Sequence, residues 1–366
     1  MKMEWVARKN VDYDMVRDIL KNSTLTNQFT NGGPVVQELE NYIRNTFQID
    51  EEKAVIVVSN GSVALHVLAQ AISIVENIPI SWATQSFTFP PSAQSTLSNA
   101  RIIDIDEEGG LSLQDLEKQQ RECGIDANGI IVTNIFGNCV DIDKYTSWAN
   151  KDENNNNTPR FLIFDNAATS YTFYKGKNCL NYGNGSTLSF HHTKPFGFGE
   201  GGTIIVDKKY EGTIRCLNNF GIGLSPDTYW SRYGNNNKMS DVSAAFILQY
   251  LYQHFYEITE RHQRLYHYFV NNIAQRNIQS FRLFPSFHNS IITPSCFSLL
   301  FHSPPTQELI EDLTRQGIIC RQYYHPLRPT KTAMKFYFHI LCLPCNMDME
   351  EPHIDKILDI VLSHSP

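Results

Sequence analysis

No run in this sequence approaches the ~20 consecutive apolar residues that a membrane-spanning helix needs. Its first ten residues mix charged and apolar side chains and form no apolar leader. A membrane partner is therefore not expected, and the expected compartment is the cytoplasm. Basic blocks are missing as well. The chain carries 31 Lys and Arg against 38 Asp and Glu, a net charge of −7. A nucleic-acid partner is accordingly not expected, and any anionic ligand has to be held by a few local groups. Cysteine is present but unorganised: eight residues lie scattered without framework spacing, which fits reduced thiols and argues against a disulfide-stapled fold. Cys342 and Cys345 have C-x-x-C spacing. No second pair and no helix start accompanies them, so the spacing reads as chance and no metal is expected.

What the chain does have is length and alternation. Its 366 residues, 42% hydrophobic, supply a large core for one or two domains. Short apolar runs at 54–58, 101–105, 129–133 and 160–164 read as buried strands. Val63, Val67, Ala71 and Ile72 recur at helical spacing, and 112–122 reads as a helix capped by Ser112. This β-then-α order predicts an α/β fold with a mostly parallel sheet covered by helices. Residues 154–157, four asparagines, read as a solvated loop. From 240 to about 273 a helical stretch carries Phe246, Tyr250, Tyr252, Phe255, Tyr256 and Tyr266, a stripe expected in a core or subunit interface. Strands at 296–302 and 318–323, with helices at 306–316 and 347–362, predict a smaller α/β unit. The division is placed as 1–250, a large domain with an N-terminal arm, and 251–366, a small C-terminal domain.

Three pieces of the large unit carry chemistry. The strand-to-helix junction Ser59-Asn60-Gly61-Ser62 offers free amides and a hydroxyl at a helix start, a phosphate site or an ordinary capped turn. Asp165 ends a buried strand, where α/β folds bind ligands, and needs a partner there or serves as a cap. Lys194 lies between the strand-like residues 186–190 and the glycine-rich Gly197-Phe198-Gly199-Glu200-Gly201-Gly202. It is either an exposed hairpin lysine or a shielded amine able to lose its proton and condense with an aldehyde. The glycines precede a strand at 203–206, which suits a tight turn better than a phosphate loop. His191 and His192 read as packing or hydrogen-bonding residues. Phosphate cradle, buried carboxylate and shielded lysine together match the needs of pyridoxal phosphate (PLP): phosphate, ring nitrogen and aldehyde.

The same residues resemble the DegT/DnrJ/StrS-type sugar aminotransferases, PLP enzymes of the aspartate-aminotransferase fold (fold type I). The resemblance spans nearly the whole chain. It runs from Thr30-Asn31-Gly32-Gly33-Pro34 through Ser59-Asn60-Gly61-Ser62, Ser86-Phe87-Thr88-Phe89, Phe164-Asp165 and the block from Ser189 to Gly202. It continues with Tyr233-Gly234-Asn235-Asn236-Asn237-Lys238-Met239-Ser240-Asp241 and Tyr323-Tyr324-His325-Pro326-Leu327. It implies that Lys194 forms the Schiff base and later moves the proton, and that Asp165 pairs with the pyridinium nitrogen. Gly61, Ser62 and Ser189 would hold the phosphate, and Phe89 would stack on the ring. Asn236 would reach the phosphate from the neighbouring subunit of a homodimer. Thr30, Asn31, Gly32, Lys238, Tyr323 and His325 would border a nucleotide-linked keto sugar.

The resemblance further implies glutamate as amino donor. A 4-keto-6-deoxyhexose, as in the viosamine-type branch, is the expected acceptor; the alternatives are a 3-keto sugar or a non-catalytic PLP-fold sensor. Several positions depart from the family pattern. Ala168 stands where a ring-contacting Gln or His is usual, leaving that contact absent or supplied by another group such as Asn166. Lys238 replaces an arginine, Asn235 a tyrosine, and Arg328 follows Leu327 where a histidine is usual.

Overall fold

The computed structural model describes residues 2–124, 126–151, 159–284 and 291–364. The asparagine loop at 154–157 lies outside the described residues. The N-terminal third contains α1 (Tyr13–Ile19), α2 (Lys21–Thr26), α3 (Pro34–Thr46), β1 (Lys53–Val58), α4 (Gly61–Glu76), β2 (Trp82–Gln85), β3 (Arg101–Ile103) and α5 (Leu113–Cys123). Next come β4 (Gly129–Thr133), α6 (Ile142–Ala149), β5 (Phe161–Asp165), the short hairpin β6 (Phe173–Tyr174) and β7 (Lys177–Asn178), β8 (Gly185–Ser189), β9 (Gly202–Asp207) and α7 (Glu211–Asn218). The chain closes with α8 (Asp241–Gln275), β10 (Phe281–Leu283), β11 (Phe297–Phe301), α9 (Gln307–Arg315), α10 (Lys331–His339), β12 (Ile340–Leu343) and α11 (Glu351–Ser363).

Among the described residues the large sheet has seven strands in the order β1-β9-β8-β5-β4-β2-β3. All run parallel except β9, which is antiparallel to both neighbours. Strands β1, β4, β5 and β8 are buried along their whole length, which explains their lack of polar alternation. Helix α4 lays Ala64, Leu65, Leu68 and Ile72 on one face of the sheet. On another face α3 and the first half of α8 pack Leu39, Ile43, Ile247 and Leu251. The antiparallel sheet β10-β11-β12, covered by α9 and α11, forms the small unit.

The proposed 250/251 division falls inside the unbroken α8, whose Tyr250, Leu251, Phe255 and Ile258 belong to the large core while Leu265 and Phe269 belong to the small one. Two expectations are corrected. Residues 318–323 are not a strand: Ile318 bridges only Met3, and Arg321 only Cys342. That stretch meets the N-terminal segment on one side and never builds a ladder. The last helix begins at Glu351, not 347, because Asn346 and Asp348 bind the N-terminal segment instead: Asn346 Nδ2 donates to the Glu4 carbonyl at 2.7 Å, and the Arg8 amide donates to the Asp348 carboxylate at 2.8 Å.

Candidate active site

The carboxyl ends of β1, β5 and β8 converge on one edge of the large sheet. Gly202, the first residue of β9, faces Val58 on one side and Ser189 on the other. A Cβ at Gly202 would lie 2.3 Å from the Asn60 carbonyl oxygen, so only glycine lets the helix start sit this close. Helix α4 is capped by Asn60, whose Oδ1 accepts from the Val63 amide at 3.0 Å. The amides of Gly61 and Ser62 form no hydrogen bond among the described residues. Gly61 also lies against Ser189: a Cβ there would meet Ser189 Cβ at 2.9 Å and Oγ at 3.2 Å. Free amides, a helix dipole and the Ser189 hydroxyl thus meet at one point.

Asp165 ends β5, only 6% exposed. Its Oδ1 accepts from the Ala167 amide at 3.1 Å and from Thr187 Oγ1 at 3.2 Å, while Oδ2 accepts no hydrogen bond among the described residues. Burial pushes its carboxyl pKa up; the Ala167 amide, the charge of Lys194 and Thr187 oppose that rise. Lys194 lies on the turn between β8 and β9. Its amide donates to the His191 carbonyl at 2.8 Å and its carbonyl accepts from Gly197 at 3.0 Å. Two residues on, Phe196 is buried and stacks on Phe255 at 5.0 Å, which pins the turn to the core. The Lys194 amine forms no hydrogen bond among the described residues. Burial lowers its pKa, and the charge of Asp165 pulls it back up. Lysine and carboxylate are thus near enough for each to shift the other's titration.

Around them stand aromatic rings. Phe89, 59% exposed, lies 6.5 Å edge-on from Tyr324, which stacks on Phe136 at 5.3 Å. Tyr324 is partly buried, and its phenol is pushed well above its ordinary pKa by desolvation, with Asp165 among the charges it senses. Tyr324 stands within the motif Tyr323-Tyr324-His325, in which the resemblance implies roles only for its two neighbours. Its neighbours Tyr323 and His325 lie on the small unit, Tyr323 edge-on to Trp5 at 5.7 Å and His325 against Tyr337 at 5.0 Å.

Asn31, Gly32 and Lys238 line a separate cavity of about 190 Å³ that Lys194 does not line. There Lys238 Nζ donates to Asn219 Oδ1 at 2.8 Å and lies over the Phe220 ring. Thr30 and Asn236 are exposed, and the Asn236 side chain forms no hydrogen bond with Gly61, Ser62 or Ser189 of its own chain. Asn166 is fully buried: its Oδ1 accepts from Asn134 Nδ2 at 2.6 Å and from the Cys179 thiol at 3.6 Å, while its Nδ2 has no hydrogen-bond partner among the described residues.

A family model described as the DegT/DnrJ/EryC1/StrS aminotransferase family matches residues 9–362. The chain belongs to this family. It is 26% identical to the UDP-4-amino-4,6-dideoxy-N-acetyl-beta-L-altrosamine transaminase of Campylobacter jejuni, over 96% of this chain and 94% of that one. It is also 26% identical to the dTDP-4-amino-4,6-dideoxy-D-glucose transaminase of Shigella dysenteriae, over 91% of each. A crystal structure of a DegT DnrJ EryC1 StrS aminotransferase from Brucella abortus superimposes with a TM-score of 0.79, covering 97% of this chain and 96% of that one at 20% identity. The cofactor is PLP. The residues present fit it: a cradle at Gly61 and Ser189 that a Cβ would fill, a buried carboxylate with one unsatisfied oxygen, and an unbonded amine.

Proposed function

We propose that this aminotransferase moves an amino group from glutamate to a nucleotide-linked 4-keto-6-deoxyhexose, giving a 4-amino-4,6-dideoxy sugar-nucleotide. The observation that carries the catalytic part is the meeting of Asp165, Lys194 and the Gly61–Ser189 cradle on one sheet edge. The acceptor rests on the two relatives, whose names both carry a 4-amino-4,6-dideoxy sugar.

PLP, when bound, supplies an aldehyde for the amino group and a ring that takes up electrons from the donor's α-carbon. In this reading the free amides of α4 and the Ser189 hydroxyl hold its phosphate. The Asp165 carboxylate would hold the ring nitrogen and keep it protonated. Lys194 would hold the aldehyde and, as a free amine, would take the α-proton of glutamate and return a proton to the sugar carbon. Its burial-lowered pKa suits a base that must be unprotonated near neutral pH. Phe89 covers a ring face. Asn236 reaches the phosphate of a second copy in a homodimer, and Thr30, Asn31, Gly32, Lys238, Tyr323 and His325 border the sugar-nucleotide. The protein works in the cytoplasm.

The test is incubation of PLP-loaded protein with glutamate and a panel of UDP- and dTDP-linked 3-keto and 4-keto sugars, with mass and NMR analysis of the product. An amine at C-4 is expected; an amine at C-3 or no amination at all overturns the proposal. Lys194→Ala is expected to abolish both the visible cofactor absorbance and turnover.

A further inference from the structure

Lys9 lies far from Lys194 in sequence and meets it in space. Its Nζ donates to the carbonyls of His192 at 2.8 Å, Lys194 at 2.7 Å and Gly197. An ammonium has three N–H donors, so this cage uses them all. The amine also lies 4.8 Å from the centre of the Tyr250 ring, within cation–π range. The Tyr250 hydroxyl donates to the Pro195 carbonyl at 3.3 Å, so the carbonyls of Lys194, Pro195 and Gly197 are all held by Lys9 or Tyr250. Burial pushes the Lys9 amine down to about 7; three converging carbonyl dipoles are what make a charge tolerable there.

The segment that carries Lys9 is itself anchored to the small unit. The Met3 amide donates to the Gly317 carbonyl at 2.7 Å, Trp5 packs on Tyr323, and the Arg8 amide binds Asp348. Lys9 is thus the point at which an arm fixed on the small unit grips the turn that carries the active-site lysine.

We infer that Lys9 is a positioning residue for the transamination: by closing the His192, Lys194 and Gly197 carbonyls around one cation it fixes the backbone from which the Lys194 amine is aimed. This rests on the reading of Lys194 as the cofactor-bearing base. A proton-transfer group displaced by about 1 Å loses on the order of 10²-fold in rate, so the effect belongs in kcat and not in substrate affinity.

The experiment uses Lys9→Met, which keeps the unbranched side chain to within one atom of its length but removes its donors. Turnover is measured per cofactor bound, with circular dichroism to establish folding and amide hydrogen exchange of residues 190–199 in the cofactor-free protein. The expected result is a 10- to 100-fold lower kcat with the glutamate KM within about twofold, and faster exchange confined to the turn. An unchanged kcat per bound cofactor overturns the inference and makes Lys9 only a stabilising contact. If the Met variant does not fold, Lys9→Gln, which keeps a two-donor amide, is measured in the same way against the same criterion. Lys194→Ala runs in parallel: if it still turns over, the reading of Lys194 fails; if it is dead while Lys9→Met is unimpaired, only the role of Lys9 fails.

Discussion

His262 is buried in α8 at 2% exposure, and its Nδ1 donates to the Pro294 carbonyl at 2.7 Å. Burial, aided by the charge of Lys9, pushes its pKa down from 6.5 to about 4. The folded protein therefore keeps this imidazole neutral at a pH where the unfolded chain protonates it. Below pH 6.5 the unfolded state binds the extra proton, so stability present above 6.5 is lost as the pH falls towards 4, by about 3 kcal/mol in all. His262→Gln removes this titration. It is expected to be less stable than the parent at pH 7, with the gap closing by about 3 kcal/mol between pH 6.5 and 4 in urea unfolding; a constant gap would mean that His262 is not buried neutral. Residues like this were silent in the sequence. Lys194 and Asp165 stood out in the sequence because one lies between a strand-like run and a glycine-rich turn and the other ends an apolar strand. Lys9 sat in a mixed charged segment that looks like any surface stretch, and only the converging carbonyls of a turn some 185 positions away give it a task.

At the scale of elements, the helix start of α4 was read correctly from Ser59-Asn60-Gly61-Ser62, and so was the Ser112 cap of α5, whose Oγ accepts from the Asp115 amide at 3.1 Å. Local cap chemistry writes itself into adjacent residues. The stretch 318–323 misled because its alternation is strand-like, while the partners that decide pairing, Met3 and Cys342, lie at other places in the chain. The proposed domain division falls inside α8, which is amphipathic throughout, and nothing in its 35 residues marks where it passes from one core to the next. The cradle offers a sharp test of the α4 reading. Gly61→Ala places a methyl 2.9 Å from Ser189 Cβ, so Ser189 must shift. The helix tolerates alanine, and fold and melting are expected to be kept. Affinity for PLP is expected to fall at least about tenfold, or ~1.4 kcal/mol, read by fluorescence titration of the cofactor-free protein. An unchanged affinity would remove the phosphate from this cradle.

At the scale of the molecule, the chain leaves an aromatic excursion in water. Between α7 and α8 the Phe220 amide donates to the Asn235 carbonyl at 3.1 Å and the Ser231 amide to the Phe220 carbonyl at 3.1 Å, closing a loop. On it Phe220, Tyr229, Trp230 and Tyr233 are all substantially exposed, with Trp230 at 59% and Tyr233 at 56%. Several large rings side by side on one loop are an interaction surface far more often than a solvated one. The base of the loop is held to the cradle rim, where the Ser59 amide donates to the Asn237 carbonyl at 2.9 Å. A second copy seated on these rings would meet Asn236 and the cavity of Asn31, Gly32 and Lys238 at the same time. If the proposed homodimer forms there, Asn236, which makes no hydrogen bond to the cradle of its own chain among the described residues, would be free to reach that of the second copy. Replacing Trp230 and Tyr233 together by Glu puts two charges on the rings' face while leaving Asp165, Lys194 and the cradle intact. The expected outcome is a folded monomer by analytical ultracentrifugation whose PLP affinity is at least about tenfold weaker. A dimer that persists would move the interface elsewhere, and a monomer that binds PLP as well as the parent would make each site complete within one chain.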